Sequence, residues 1–276
     1  MTSAQRIKWI GIVTILLPVL FISLFPIVVM ISTSFKTSQE VYIPPPTFLP
    51  RAPTLQNYSD IWTQAPLATY FRNSLIIGLG STVVALLLGV PAAYALARYR
   101  FQGRQIFLLL LLVIQMFPPV VIILGLFRVV AALNMLDSLL TLILLNAVFS
   151  LSFMVWLLMG YFMTIPVEIE EAAMMDGNSR VGAMLRMTLP LSWPGLVAVG
   201  IFGFMNGWNE FLFPLTFIRS PEKMPLTIGL FKFVTRFQVE WNLLMAASFL
   251  TTIVVVVLFM LVQNQLTRGM VATGEK

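Results

Sequence analysis

The chain has 276 residues, 59% of them hydrophobic and only 10% charged, with a net charge of +6. A water-soluble surface uses roughly 25% charged residues, so this much apolar surface cannot be hidden in one soluble core, and the chain is read as an all-α polytopic membrane protein. With no Cys and no His, thiolate nucleophiles, disulfides, imidazole bases and the usual zinc ligand sets are excluded, and no catalytic or metal-binding residue is assigned.

An apolar helix needs about 20 residues to cross the roughly 30 Å hydrocarbon layer. In chain order, the first such stretch, about 9–32, follows Arg6 and Lys8. It is too long for a signal-peptide core and no A-x-A cleavage site follows, so it is expected to stay as a membrane helix. Residues 33–72 form a longer outer loop carrying VYIPPPTFLPRAPTLQNYSDIW, a proline-rich extended piece followed by a short polar helix beginning near Thr54. The second stretch, about 73–97, leads into a short loop crowded with Arg98, Arg100 and Arg104; the third, about 105–131, holds Gln115 and Arg128. The fourth, about 138–163, spaces Phe149, Phe153 and Trp156 three or four residues apart. Such a stripe has two readings, helix packing or a stacking surface for a sugar ring. Pro18, Pro26, Pro91, Pro118, Pro119 and Pro214 interrupt these stretches, so kinked helices are expected, with neighbours or water satisfying the freed carbonyls.

Residues 164–194 are different, gathering Glu168, Glu170, Glu171, Asp176, Arg180 and Arg186 in one short segment. Six charges at about 2.5–3.5 kcal/mol each near a bilayer centre would cost on the order of 15–20 kcal/mol, so the segment lies outside the membrane. Pro166 fits the first turn of a helix, with the glutamates near its positive end and Gly177 as a left-handed stop. A second helix runs from the possible cap Ser179 to Leu189, where Pro190 ends it.

The fifth stretch, about 195–217, contains GFMNGWNEFLFPL. Asn206 and Glu210 are four apart, hence on one helix face, with Glu210 about 22 Å along from Gly195. With Asn209 they are expected to face protein or a water-filled path. Two readings stand: a lining of the translocation path or contact with a partner, and a hydrogen-bond cluster holding helices together. Gly203 and Gly207 form a GxxxG, read as helix packing in preference to a dimer site. A second long outer loop, 218–242, precedes the sixth stretch, about 243–263, and a tail with Arg268 and Lys276. The arginines and lysines of the short loops, with an even number of spans, place both termini in the cytoplasm. The basic residues are scattered and form no run, which fits membrane-flanking anchors and not a nucleic-acid surface.

The segment between the fourth and fifth stretches resembles the cytoplasmic loop of permease subunits of bacterial ATP-binding-cassette importers. That pattern is Glu-Ala-Ala, three residues, Gly, nine residues, an aliphatic residue, one residue, then Leu-Pro. Here it reads Glu171, Ala172, Ala173, Gly177, Met187, Leu189, Pro190, with Met187 where the family more often has Ile or Val. WNEFLFPL, NYSDIW and RNSLIIG are similar to the carbohydrate-importer branch, the maltose-permease-G-like one; the tail GMVATGEK matches its Gly-rich ending more loosely.

The resemblance implies a type I importer transmembrane domain: one permease domain over 1–276, six transmembrane helices and a cytoplasmic two-helix coupling loop. It implies that Glu170, Glu171, Ala172, Ala173, Asp176, Gly177, Met187, Leu189 and Pro190 serve ATPase coupling. Asn206, Asn209, Glu210, Trp156, Phe153 and Gln115 become candidates for the substrate path. Implied partners are a second permease in a heterodimer, two ATP-binding-cassette subunits and an extracytoplasmic solute-binding protein, in the bacterial cytoplasmic (inner) membrane. Implied solutes are oligosaccharides, glycosides or polyols, with a glycerol phosphodiester as an alternative. Nothing resembles G-x-x-x-x-G-K-[ST], so ATP and Mg are expected on the partner ATPases, with no cofactor and no enzymatic activity in this chain. An ion-driven secondary transporter is the other class considered, but such proteins tend to show inverted repeats and buried ionisable relays, neither of which is clear here.

Overall fold

The computed structural model describes the backbone of residues 3–234 and 238–274 and the side chains of 12–234, 238–261 and 263. Arg6, Lys8, Arg268 and Lys276, which carry part of the orientation argument, lie outside the described side chains. The chain divides into two compact units, residues 1–67 with 230–254, and residues 68–229 with 255–276.

In the first unit, α1 (Ser3–Ser34) keeps Pro18 and Pro26 inside a continuous helix. From Ile12 to Ser34 it is long and apolar enough to cross a membrane, and none of its most apolar window is buried. The outer loop then folds on side-chain hydrogen bonds. Thr37 caps the short α2 (Ser38–Val41) by accepting from the Glu40 N–H. The Glu40 carboxylate accepts from Arg51 N at 2.7 Å and Thr47 Oγ1 at 3.2 Å. α3 (Gln56–Gln64) begins two residues after Thr54, whose own N–H is held by the Phe35 carbonyl at 2.9 Å. Asn57, buried, donates to the carbonyls of Ser34 and Lys36, each at 2.8 Å, and accepts from Asn242 at 2.8 Å. One amide thus fastens the end of α1 to the start of the last helix, Trp241–Gly274.

The second unit starts with α4 (Leu67–Arg98), which absorbs Pro91 without breaking. The third apolar stretch is not one kinked helix. It is α5 (Arg104–Met116) and α6 (Pro119–Ala132), bent by 100°. The tandem prolines explain this: Phe117 and Pro118 each precede a proline and are pushed out of the α region, to ψ 114° and 132°. After α7 (Leu139–Thr164) the polar segment forms α8 (Val167–Met175), then α9 (Arg180–Ala183), a π-helical stretch Met184–Thr188 and α10 (Leu189–Leu191). α11 (Trp193–Asn209) leaves at 79°. The fifth apolar stretch also breaks, since α11 stops at Asn209 and α12 (Leu212–Phe217) follows. Pro214 has no N–H for the Glu210 carbonyl four residues back; that carbonyl instead accepts from Thr227 Oγ1 at 2.7 Å. α13 (Leu226–Gly229) closes this part. Among the described residues, four helices are individually long and apolar enough to cross a membrane, or up to six if each bent pair counts as one span.

α7 is the central post, half of its apolar window buried. Ala85, Ala93 and Leu96 of α4, Leu111 of α5, Met154, Leu158 and Phe162 of α7 and Val199 of α11 share one buried cluster. A second joins Ile77 of α4, Val130 of α6, Leu142 of α7 and Phe213 and Phe217 of α12. Glycines let α4 and α11 touch: a Cβ on Gly207 would sit 2.7 Å from Ser81 Oγ and 3.0 Å from Gly78 Cα. The GxxxG is therefore spent on packing inside the chain.

At the opposite end of α7 from α8, Asp137 holds a left-handed φ of 54° and takes the Ser220 hydroxyl at 2.6 Å, the Ser220 N–H at 2.9 Å, the Arg219 N–H at 3.0 Å and Lys223 Nζ at 3.1 Å. Led by the two bonds from Ser220, these donors hold its carboxyl well below the usual range.

Candidate functional site

The hairpin between α7 and α11 forms as its residues dictate. Pro166 is the N-cap of α8, one place ahead of the expected first turn, with Glu168 and Glu170 following at the positive end of the helix. Gly177 has φ +87°. The Gly177 N–H reaches the Met174 carbonyl at 3.0 Å and the Asn178 N–H reaches the Ala173 carbonyl at 3.1 Å. This is the Schellman pair, which needs a left-handed residue at that place. Ser179 caps α9 by accepting from the Gly182 N–H at 3.1 Å. Pro190 does not end the second helix as expected. The π stretch ahead of it absorbs the missing N–H, and the helix runs on to Leu191 before turning at Ser192.

One face of the hairpin is open. Glu171, Ala172, Asp176, Gly177, Pro190, Arg180 and Arg186 are exposed, with Met175 at 87%, Val181 at 62% and Leu185 at 54%. Met187 and Leu189 are half-buried. Glu170 and Ala173, grouped with the contact residues from sequence, are buried at 5% and 2%. The Glu170 carboxylate accepts from Tyr94 Oη at 2.6 Å, Arg98 Nε at 2.8 Å and Thr188 Oγ1 at 2.7 Å. Arg98 also donates to the Ile165 carbonyl at 3.0 Å. Burial alone pushes the Glu170 carboxyl up; the bonds from Thr188, Tyr94 and Arg98 and the Arg98 charge outweigh it and hold it below its ordinary value. Sequence reasoning missed this set, reading Arg98 as a membrane-flanking charge. The available signal was Tyr94 and Arg98, four apart on one helix face beside a Glu-rich loop. A cleft of about 170 Å³ opens next to the set, lined by Tyr99, Glu171, Met174 and Arg180 among others, with the Arg180 guanidinium 5.8 Å from the Tyr99 ring centre.

The residues proposed for a solute path meet only in part. Asn206 is exposed on α11 and its amide reaches Ser150 Oγ of α7 at 3.4 Å. Phe153 of α7 lies against Phe202 of α11 with ring centres 4.0 Å apart, and Phe149 against Phe213 at 5.2 Å. Asn209 is exposed at the end of α11, and Gln115 is exposed one residue before the end of α5. Trp156 is half-buried against the central cluster, its Nε1 without a hydrogen-bond partner among the described residues. Glu210 is not on the Asn206 face. It lies past the helix end with ψ 128°, and its Oε1 accepts from the N–H groups of Leu212 at 2.8 Å and Phe213 at 3.0 Å, capping α12.

Residues 85–272 match the family model described as "Binding-protein-dependent transport system inner membrane component". The chain is 38% identical to the inner membrane ABC transporter permease protein YcjP of Escherichia coli over 100% of this chain and 99% of that one. It is 37% identical to the sulfoquinovosyl glycerol transport system permease protein SmoH of Agrobacterium fabrum, covering 92% of this chain and 89% of that one. In fold it is similar to a chain of a bacterial ABC transporter involved in the import of the acidic polysaccharide alginate, at TM-score 0.80 and 23% identity over 96% of this chain and 98% of the other. With its bent apolar helices and polar hairpin, the chain belongs to the inner-membrane permease subunits of binding-protein-dependent ABC transporters and has the type I importer fold.

Proposed function

We propose that this chain is the permease subunit of an ATP-driven importer for a carbohydrate or carbohydrate-like solute, driven through the hairpin of residues 164–194 by a separate ATPase. The observation that carries the reading is the hairpin itself: one side is anchored on buried Glu170, and the other presents exposed Glu171, Met175, Val181 and Leu185. An acidic residue beside apolar side chains suits a groove with a cationic rim. The remaining partners are a second permease, a second ATPase and an external binding protein, with ATP and Mg on the ATPases and both termini of this chain cytoplasmic. The relative named for sulfoquinovosyl glycerol supports a sugar-like cargo. Asn206, one turn along α11 from Phe202 of the Phe153–Phe202 ring pair, and Asn209 at the end of that helix supply the amide and aromatic chemistry that a polyhydroxylated solute uses.

The test is co-purification in detergent with the ATPase and second permease encoded beside this chain, comparing wild type with Glu171→Lys. The ATPase is expected to stay with wild type and to leave the variant. An ATPase that never associates with a folded wild-type chain would overturn the coupling reading.

A further inference from the structure

Glu170 differs from its neighbour Glu171 in kind. Glu171 is exposed on the open face, while the Glu170 carboxylate points inward and joins four pieces of the second unit. α8 carries it, α4 gives Tyr94 and Arg98, the π stretch gives Thr188, and Arg98 continues to the Ile165 carbonyl that follows α7. Ser192, at the turn into α11, is latched to the Thr188 carbonyl by its hydroxyl at 2.6 Å. Apart from these bonds the hairpin is held by its links to α7 and α11 and by apolar packing, such as Met184 against the buried cluster, which resists sliding less than a directional bond does. With them, no piece can rotate alone without stranding a buried charge, which is costly in a low-dielectric setting.

We propose that Glu170, Tyr94, Arg98 and Thr188 form a transmission hub. They make the hairpin and the adjoining ends of α4 and α7 move as one body, so displacement at the docking face reaches the spans and is not absorbed in the loop. Glu170 is thus a positioning residue that touches no partner subunit; this rests on the coupling reading above. The chemistry favours a carboxylate because the buried Arg98 guanidinium needs a counter-charge; an amide oxygen can still accept from Arg98 and Thr188, and Tyr94 can turn to accept from the NH2, but the ion pair at 2.8 Å is lost.

The chain has no native cysteine, so Glu168→Cys, exposed in the first turn of α8 and not among the residues given to the docking face, and Ile76→Cys, about 27 Å along α4 from Tyr94, take spin labels in a complex with cysteine-free partner subunits. The distance between the labels is measured with and without a non-hydrolysable ATP analogue and Mg. In the otherwise wild-type chain it is expected to stay fixed, both labels travelling together. With Glu170→Gln the ATPase still co-purifies, but the analogue shifts and broadens the distance. The pair Tyr94→Phe, Thr188→Val, which keeps the ion pair, is expected to do the same more weakly and serves if Glu170→Gln does not fold. The hub is overturned if the distance already changes without these substitutions, or if the substituted chains dock the ATPase and hold the distance as before. If the ATPase does not dock even when the hub is intact, the coupling reading fails first and the hub with it.

Discussion

Replacing Gly177 isolates the backbone contribution to the hairpin. A Cβ built there meets nothing within 4 Å, so Gly177→Ala adds no steric contact, and its whole effect comes from holding an L-residue at φ +87°. That conformation costs a residue with a side chain about 1–2 kcal/mol, less for Asn and more for a β-branched residue. The penalty falls on a turn fixed by two hydrogen bonds, Gly177 to Met174 and Asn178 to Ala173, so the hairpin opens locally while the buried clusters around α7 stay intact. About 1–2 kcal/mol corresponds to a roughly 5- to 30-fold shift in the ratio of closed to open hairpin. The affinity for the partner ATPase, titrated against purified permease, is expected to fall in the order Gly, Asn, Ala, Val, with Ala weaker by up to that factor. The thermal midpoint in detergent should hardly move. An Ala variant that binds as tightly as Gly, or an Asn variant weaker than Ala, would refute the argument that left-handed geometry sets the docking shape.

Asp137→Asn removes the charge that gathers Arg219, Ser220 and Lys223. Because the folded carboxyl is held below its ordinary 3.8, its stabilisation is complete above that pH and lost as pH falls further. The wild-type advantage in thermal midpoint should therefore be constant down to about pH 4 and shrink below it, and an advantage that grew there would be wrong for this assignment. For Glu210, Gln keeps an oxygen for the Leu212 and Phe213 N–H groups and should be tolerated, whereas Leu should cost about 1 kcal/mol as a lost cap; equal losses in a melting comparison would remove the capping role. Asn206→Leu should lower uptake of the solute while the complex assembles normally. If Ser150→Ala, which removes only the 3.4 Å partner of Asn206, reduced uptake as much, the helix-packing reading would stand instead.

Hydropathy located every apolar stretch, and Gly177 and Ser179 marked the hairpin because turns and caps are local chemistry. Two breaks were harder to read. Prolines at 118, 119 and 214 were visible, yet so were those at 18, 26 and 91, which their helices absorb. A lone proline can be accommodated, while a tandem pair forbids α geometry at two successive residues, and Pro214 acts where Glu210 and Thr227 offer an alternative end. Glu210 itself was misplaced because a four-residue spacing implies a shared face only if the helix continues. The division of labour between Glu170 and Glu171 was hidden for a different reason: the donors that draw Glu170 inward lie 76, 72 and 18 residues away, and no local pattern announces a contact of that range.

The bare surface of α1 has a meaning for how the sequence can drift. Within Ile12–Ser34 the most apolar 18-residue window is unburied, while half of α7's is enclosed by neighbours from the same chain. Up to Leu24, then, the described residues ask α1 mainly to be apolar and helical, whereas Phe25 already meets the Phe48 ring edge-on. α7 must keep shape as well as polarity. Beyond the described residues, finer selection along that part of α1 falls to the lipid or to a subunit lying against it.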